Sequence, residues 1–285
     1  VLADETKISF KVASIQFNPQ LNERNKNIED LKKLVIKAAD NGAKLIVTPE
    51  MATTGYHYKD REAIKPFVDT IPGLTTKIFG EISKRYGVYV VVGLPEMDNK
   101  TGIYYNSAAL VGPYGYIGKY RKIHLWETDA HWAASGDLGV QVFKTEIGNI
   151  AVNICMDSVY FETFRLAALE GANIMAFLTN SSAQSIWHLQ SRAIQNGIYI
   201  ISANRSNREK DFHMVGASAI WSPYGEKLAE GDFYKEERGR SNNLEIIYAE
   251  IDPSNYHNNA KTILNNRVTS LYKDLLLYIS PWDFK

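Results

Sequence analysis

What most constrains this chain is a theme it repeats: a short apolar run, a loop, then an amphipathic stretch. Lys11 to Phe17 reads as a strand, and Asn25 to Asn41 carries Ile28, Leu31, Leu34, Val35, Ala38 and Ala39 at helical spacing, with Gly42 as a stop. Leu45 to Val47 is a second buried strand, Thr75 to Tyr86 a helix with Ile78, Phe79 and Ile82 on one face, and Val88 to Val92 the strand after it. Ser107 to Val111 and Tyr116 to Lys119 flank the turn Gly112-Pro113-Tyr114-Gly115 as a hairpin. Strands at Ile150 to Ile154, Ile174 to Leu178 and Ile198 to Ala203 alternate with helices at Phe161 to Gly171 and Trp187 to Asn196. Ala217 to Trp221 and Glu245 to Ile251 are further strands. Helices alternating with strands, together with hairpins, predict a layered α/β domain with mixed sheets.

Thirty-two basic residues balance thirty-two acidic ones, so no net field is available to hold nucleic acid or an anionic membrane. A small-molecule substrate is the expected partner. One cysteine in 285 residues rules out an intrachain disulfide, excludes a zinc site of several thiolates, and fits a reducing compartment. Val1 to Phe10 carries Asp4, Glu5 and Lys7 where a secretory signal would be apolar. No apolar run reaches the ~18–20 residues of a membrane span, so a cytoplasmic location is expected. The histidines are scattered without HExxH spacing, and no glycine-rich phosphate motif occurs, so neither a metal nor a nucleotide cofactor is expected. No composition break marks a linker, and residues 1–285 read as one domain. Gly231 to Asn243 reads as a solvated loop, and the apolar tail 271–285 as packing on a partner subunit.

Three residues stand out chemically. Cys155 ends the strand Ile150 to Ile154 just before a helix opening near Phe161, at a sheet edge where α/β proteins place their sites. Helix N-terminal amides there are expected to favour a thiolate, although a lone cysteine after a buried strand is more often an inert core residue. Glu50 ends Leu45-Ile46-Val47-Thr48-Pro49, where a carboxylate is either paired, functional or a surface residue at a helix start. Lys122 borders Ile123-His124-Leu125-Trp126, either as a functional cation or as a surface lysine whose stem packs on its neighbours. A thiol needs a base, and an attacked carbonyl needs a donor for its oxyanion; the chain offers all three.

At these residues the sequence resembles the nitrilase superfamily, carbon–nitrogen hydrolases with a Glu-Lys-Cys triad. Pro49-Glu50 with Thr54-Gly55-Tyr56 is similar to the family's glutamate motif, Gly118 to Leu125 to its lysine motif, and Ile154-Cys155-Met156-Asp157 to its nucleophile motif. Phe161 to Ala167, Thr179-Asn180, Ser191 to Gly197 and Ala203-Asn204-Arg205 match in order. The resemblance implies a four-layer αββα sandwich of two mixed β-sheets flanked by helices, a homodimer or higher homo-oligomer, and no cofactor. It implies Cys155 as nucleophile, Glu50 as general base, and Lys122 with the Met156 N–H as oxyanion donors. The family's second glutamate falls on Asp129 here, with Glu127 as a rival; Tyr56, Trp126, Trp132, Met156 and Asn180 are the expected substrate contacts. Met156-Asp157 stands where true nitrilases carry Trp-Glu, which points to a small carboxamide or N-carbamoyl compound. A nitrile substrate, and a catalytically silent binding protein on the same fold, are the alternatives.

Overall fold

The computed structural model describes residues 9–234, 244–273 and 275. Most of the 231–243 loop and of the 271–285 tail lies outside them. The first half comprises β1 (Phe10–Gln16), α1 (Arg24–Asp40), β2 (Ala43–Val47), α2 (Arg61–Ile64), α3 (Leu74–Tyr86), β3 (Tyr89–Met97), β4 (Tyr104–Gly112) and β5 (Gly115–Arg121). Then follow α4 (Glu127–Ala130), β6 (Val142–Thr145), β7 (Gly148–Ile154), α5 (Phe161–Leu169), β8 (Ile174–Leu178), α6 (Leu189–Asn196) and β9 (Tyr199–Ala203). The small strands β10 (Arg208–Glu209) and β11 (Phe212–His213) precede β12 (Ala219–Trp221), β13 (Lys227–Glu230), β14 (Glu245–Ile251) and α7 (His257–Asn265).

Two six-stranded sheets result, ordered β14-β1-β2-β3-β4-β5 and β13-β12-β9-β8-β7-β6. Both are mixed: β1-β2-β3 and β7-β8-β9 run parallel, and the flanking strands antiparallel. Successive residues of a strand face opposite sides, and the packing follows. Leu45 and Val47 join Ile150, Val152, Ile154, Ala176 and Leu178 in the layer between the sheets. Ile46, Val90 and Val92 point the other way, onto Ile28, Leu31 and Val35 of α1 and Phe79 of α3. On the second sheet, Ala151, Met175 and Phe177 meet Phe164 and Ala167 of α5 and Leu189 and Ala193 of α6. With both faces covered, the central strands must be apolar throughout, which is why they read as unbroken hydrophobic runs. This is the expected αββα sandwich.

The differences from expectation are local. β3 continues to Met97 because it pairs with β4 along its whole length. The edge strands β6 and β13 are half-buried or exposed, so their sequences carry little periodic signal. β12 begins at Ala219 because Ala217 has φ +52°, a left-handed value that a strand does not accommodate. α6 begins at Leu189, two residues inside the predicted span, and Trp187 stays 73% exposed. Among the described residues no helix is long and apolar enough to cross a membrane.

Candidate active site

The parallel strands deliver their carboxyl ends to one edge of the sandwich. β2 is followed by Glu50, β5 by Lys122, β7 by Cys155 and β8 by Asn180. Glu50 and Lys122 come from one sheet, Cys155 and Asn180 from the other. Gly93 on β3 lets the chain around Glu50 lie close, because a Cβ there would stand 2.4 Å from the Pro49 carbonyl oxygen and 3.0 Å from the Glu50 Cα.

Glu50 and Lys122 are both wholly buried and joined by a 2.8 Å ion pair between Oε1 and Nζ. The surface alternatives for both are thereby excluded. Asn106, at the start of β4, donates Nδ2 to Glu50 Oε1 at 2.8 Å and to Asp129 Oδ1 at 3.0 Å. Asp129 Oδ2 meets Lys122 Nζ in a short ion pair and accepts the Trp126 N–H at 3.0 Å. Glu127 is exposed, so Asp129 is the carboxylate that holds Lys122. The second oxygen of Glu50 accepts the backbone N–H of Asn180 at 2.9 Å, which carries the network across to the other sheet.

Cys155 opens a single 3-10 turn, Cys155–Ser158, with a left-handed φ of +48°. That backbone conformation costs a residue with a side chain roughly 1–2 kcal/mol. Asp157 fixes the turn: it accepts the Ile154 N–H at 3.0 Å, the Tyr120 hydroxyl at 2.7 Å and the His124 N–H at 3.0 Å. The cysteine turn is thus tied to residues on either side of Lys122. The Thr179 hydroxyl, itself bonded to Ser185 Oγ at 2.7 Å, acts to lower the thiol's pKa.

Two carboxylates against one ammonium leave this buried cluster with an excess negative charge. Burial pulls the Lys122 ammonium down, but Asp129 and Glu50 outweigh it and hold it well above the ordinary lysine range. Burial raises Glu50, Lys122 opposes, and the Asp129 charge adds to the rise, leaving the carboxyl above the usual glutamate value. Burial, and after it the Glu50 charge, push the Cys155 thiol up to about 12. Burial and the Glu50 charge thus oppose the thiolate that helix amides are expected to favour. Cys155 opens a one-turn helix inside a buried, negatively charged cluster, and that environment favours the neutral thiol. The mutual charge effects also place Cys155, Glu50, Lys122 and Asp129 within electrostatic reach of one another.

A small cavity of about 50 Å³ opens at the thiol, lined by Tyr56, Trp126, Cys155, Met156, Asn180, Ser181, Ser182, Gln184, Ser185 and Phe212. Four of the expected contacts line it, namely Tyr56, Trp126, Met156 and Asn180. Trp132 does not; it packs in an apolar cluster with Met51, Tyr56, Tyr58, Ile64 and Tyr104. Asn106 and Phe212 escaped the sequence reading, since neither belongs to an ionisable pattern at a recognisable spacing, while Asp157 and Thr179 stand in its motifs without a role. A larger cleft of about 560 Å³ beside Pro19 and Arg205 holds none of the chemistry-bearing groups, so size alone does not locate the site. The arrangement brings a thiol, a buried carboxylate and a buried ammonium to one edge of the sandwich.

Comparison with known proteins agrees with this chemistry. The carbon-nitrogen hydrolase family profile matches residues 11–260. A nitrilase from Pyrococcus abyssi is 38% identical over 231 residues, covering 80% of this chain and 87% of the relative. A formamidase from Bacillus cereus is 33% identical over 256 residues, covering 86% of this chain and 74% of the relative. Among solved structures, Saccharomyces cerevisiae Nit3 superposes with a TM-score of 0.79 at 23% identity, covering 93% of this chain and 98% of that one. A double mutant of the amidase from Nesterenkonia sp. AN1, in complex with acrylamide, gives 0.76 at 18% identity, covering 95% and 98%.

Proposed function

The chain belongs to the carbon-nitrogen hydrolase family, the nitrilase superfamily, and from that premise we propose that it hydrolyses a small carboxamide to a carboxylic acid and ammonia through a thioester on Cys155. The observation that carries this reading is that Cys155 lines a small cavity at the sheet edge where a buried Glu50 is paired with a buried Lys122. A thiol held at about 12 does not ionise in advance. Its proton must leave as the sulfur attacks, and a carboxylate raised above the usual range is a better acceptor for it than an ordinary one.

In the first half-reaction Glu50 takes the thiol proton while Sγ bonds to the carbonyl carbon. Lys122 and the Met156 N–H receive the developing oxyanion, a donor of this kind being worth about 10²–10³ in rate. As the tetrahedral centre collapses, the C–N bond breaks and Glu50 returns the proton to the nitrogen, which leaves as ammonia. In the second half-reaction Glu50 deprotonates a water that attacks the thioester; the sulfur leaves and is reprotonated. Asp129 and Asn106 keep Lys122 and Glu50 in register throughout.

The small volume of the cavity, with Asn180, Ser181 and Gln184 in its wall, supports a small amide, and formamidase relatives accord with that size. An N-carbamoyl compound of similar size would react in the same way. The Pyrococcus relative supports a second reading, a nitrile attacked by the same thiol to give a thioimidate. Ammonia release from formamide, acetamide, a ureido acid and a set of nitriles separates these, with intact-mass detection of the acyl adduct on Cys155. Turnover of nitriles alone would reject the amide reading. We also infer a homo-oligomer: Leu166, Leu169 and Ile194 leave apolar area exposed on α5 and α6, and light scattering of the purified protein tests it.

A further inference from the structure

Resting on the amide reading, we propose that Asn180 is a specificity-determining residue, whose side-chain Oδ1 accepts an N–H of the scissile amide nitrogen. The argument begins with an unmet requirement. Asn180 is 1% exposed and lines the cavity that holds Cys155, yet its Oδ1 and Nδ2 both lack a hydrogen-bond partner. A buried polar group without a partner destabilises a fold, and a carboxamide has two such ends. Two neighbours in the lining are provided for: Ser181 Oγ accepts the Ala183 and Ser185 N–H groups, and Ser185 Oγ bonds Thr179; among the described lining residues, only Asn180 has buried side-chain polar atoms without a partner. The Asn180 carboxamide is the exception.

Its position also fits. The backbone N–H of Asn180 bonds Glu50 Oε2 at 2.9 Å, so its side chain is anchored next to the carboxylate that hands a proton to the leaving nitrogen. Lys122 and the Met156 N–H attract the substrate oxygen, which leaves the nitrogen to the other wall. There an acceptor is needed, since an amide nitrogen carries hydrogens and no basic lone pair. Glu50 meets one hydrogen-bonding direction and Oδ1 of Asn180 a second, holding the NH₂ group in the plane that attack requires. Nδ2 is then turned toward the acyl group, where it can donate to a polar substituent. An ester with the same acyl group offers no N–H and forgoes the contact.

The test compares wild type with Asn180→Leu, a change of similar volume, on a primary amide and the methyl ester of the same acid. Both substrates pass through one acyl-enzyme, so their deacylation is common. The amide-to-ester ratio of kcat/KM is expected to fall about 10- to 100-fold in the variant, the range of one buried hydrogen bond. The thermal midpoint is expected to hold or rise, because two unpartnered polar atoms are removed. An unchanged ratio would overturn the assignment, and so would a marked loss of thermal stability, which would make Asn180 a structural residue. Absence of any acyl adduct on Cys155 in the wild-type protein would instead reject the underlying amidase reading.

Discussion

Arg205 is wholly buried, and the carboxylate of Glu209 meets its Nη2 at 2.9 Å. The other oxygen of Glu209 accepts the backbone N–H groups of Tyr56 and His57 at 2.9 and 2.7 Å, across about 150 residues of chain. Three residues on, Phe212 faces the Tyr56 ring at 6.0 Å, and both line the cavity. Glu209 thus joins the loop after Glu50 to the small β10–β11 ribbon. Glu209→Ala is expected to lower unfolding free energy by about 3–5 kcal/mol, because it strands a buried guanidinium. Glu209→Gln, which keeps an acceptor for the two N–H groups, should lose less. Denaturant titration measures both, and a loss below about 1 kcal/mol in the alanine variant would leave the pair without the structural weight argued for it.

Cys155→Ala should abolish turnover; retention of a tenth of the wild-type rate rules out the nucleophile. Glu50→Gln should abolish it too, and with a separate signature. The Glu50 charge is the second cause, after burial, of the raised thiol. Its removal is expected to lower the thiol pKa, so iodoacetamide should alkylate the variant's Cys155 faster than the wild type's at pH 9. Slower alkylation would contradict the charge argument.

Lys122→Met retains the volume of the side chain and removes its charge. Turnover should fall at least about 10²-fold. Two buried carboxylates lose their counter-charge, so stability near neutral pH should fall by about 3–5 kcal/mol and recover in acid as they protonate. A threefold or smaller drop in rate would reduce Lys122 to a structural role.

The pH profile of kcat/KM follows from Glu50, which must be ionised to accept the thiol proton. Its raised value places the acid limb above that of an ordinary glutamate, with activity growing as pH climbs through it. Asp129 contributes to the rise, so Asp129→Asn is expected to move the limb to lower pH while reducing the plateau. A limb that moves the other way in that variant would show that Asp129 acts on some other group.

Much of this was legible in the chain itself. Buried strands on both faces give unbroken apolar runs, and the residues directly after them, Glu50, Lys122 and Cys155, are those the sheets gather at one edge. What periodicity cannot report is pairing. Asn106 reaches Glu50 and Asp129 only because Ser107 pairs with Arg121, a register set between strands. The left-handed backbone at Cys155 and the rise of its thiol likewise depend on packing and charge brought from elsewhere, which the local sequence does not report. Trp132 shows the converse: a large aromatic near a site is as well suited to filling a core as to touching a ligand.

Because Glu50 and Lys122 ride on one sheet and Cys155 on the other, their alignment is only as accurate as the stacking of the two sheets. A residue such as Ile201, outside the cavity lining but wedged in that inner layer, acts as a shim. Thinning or thickening it would detune the reaction while every hydrogen bond within each sheet stayed intact. Gentle denaturant should accordingly silence the enzyme before circular dichroism registers any loss of strand or helix.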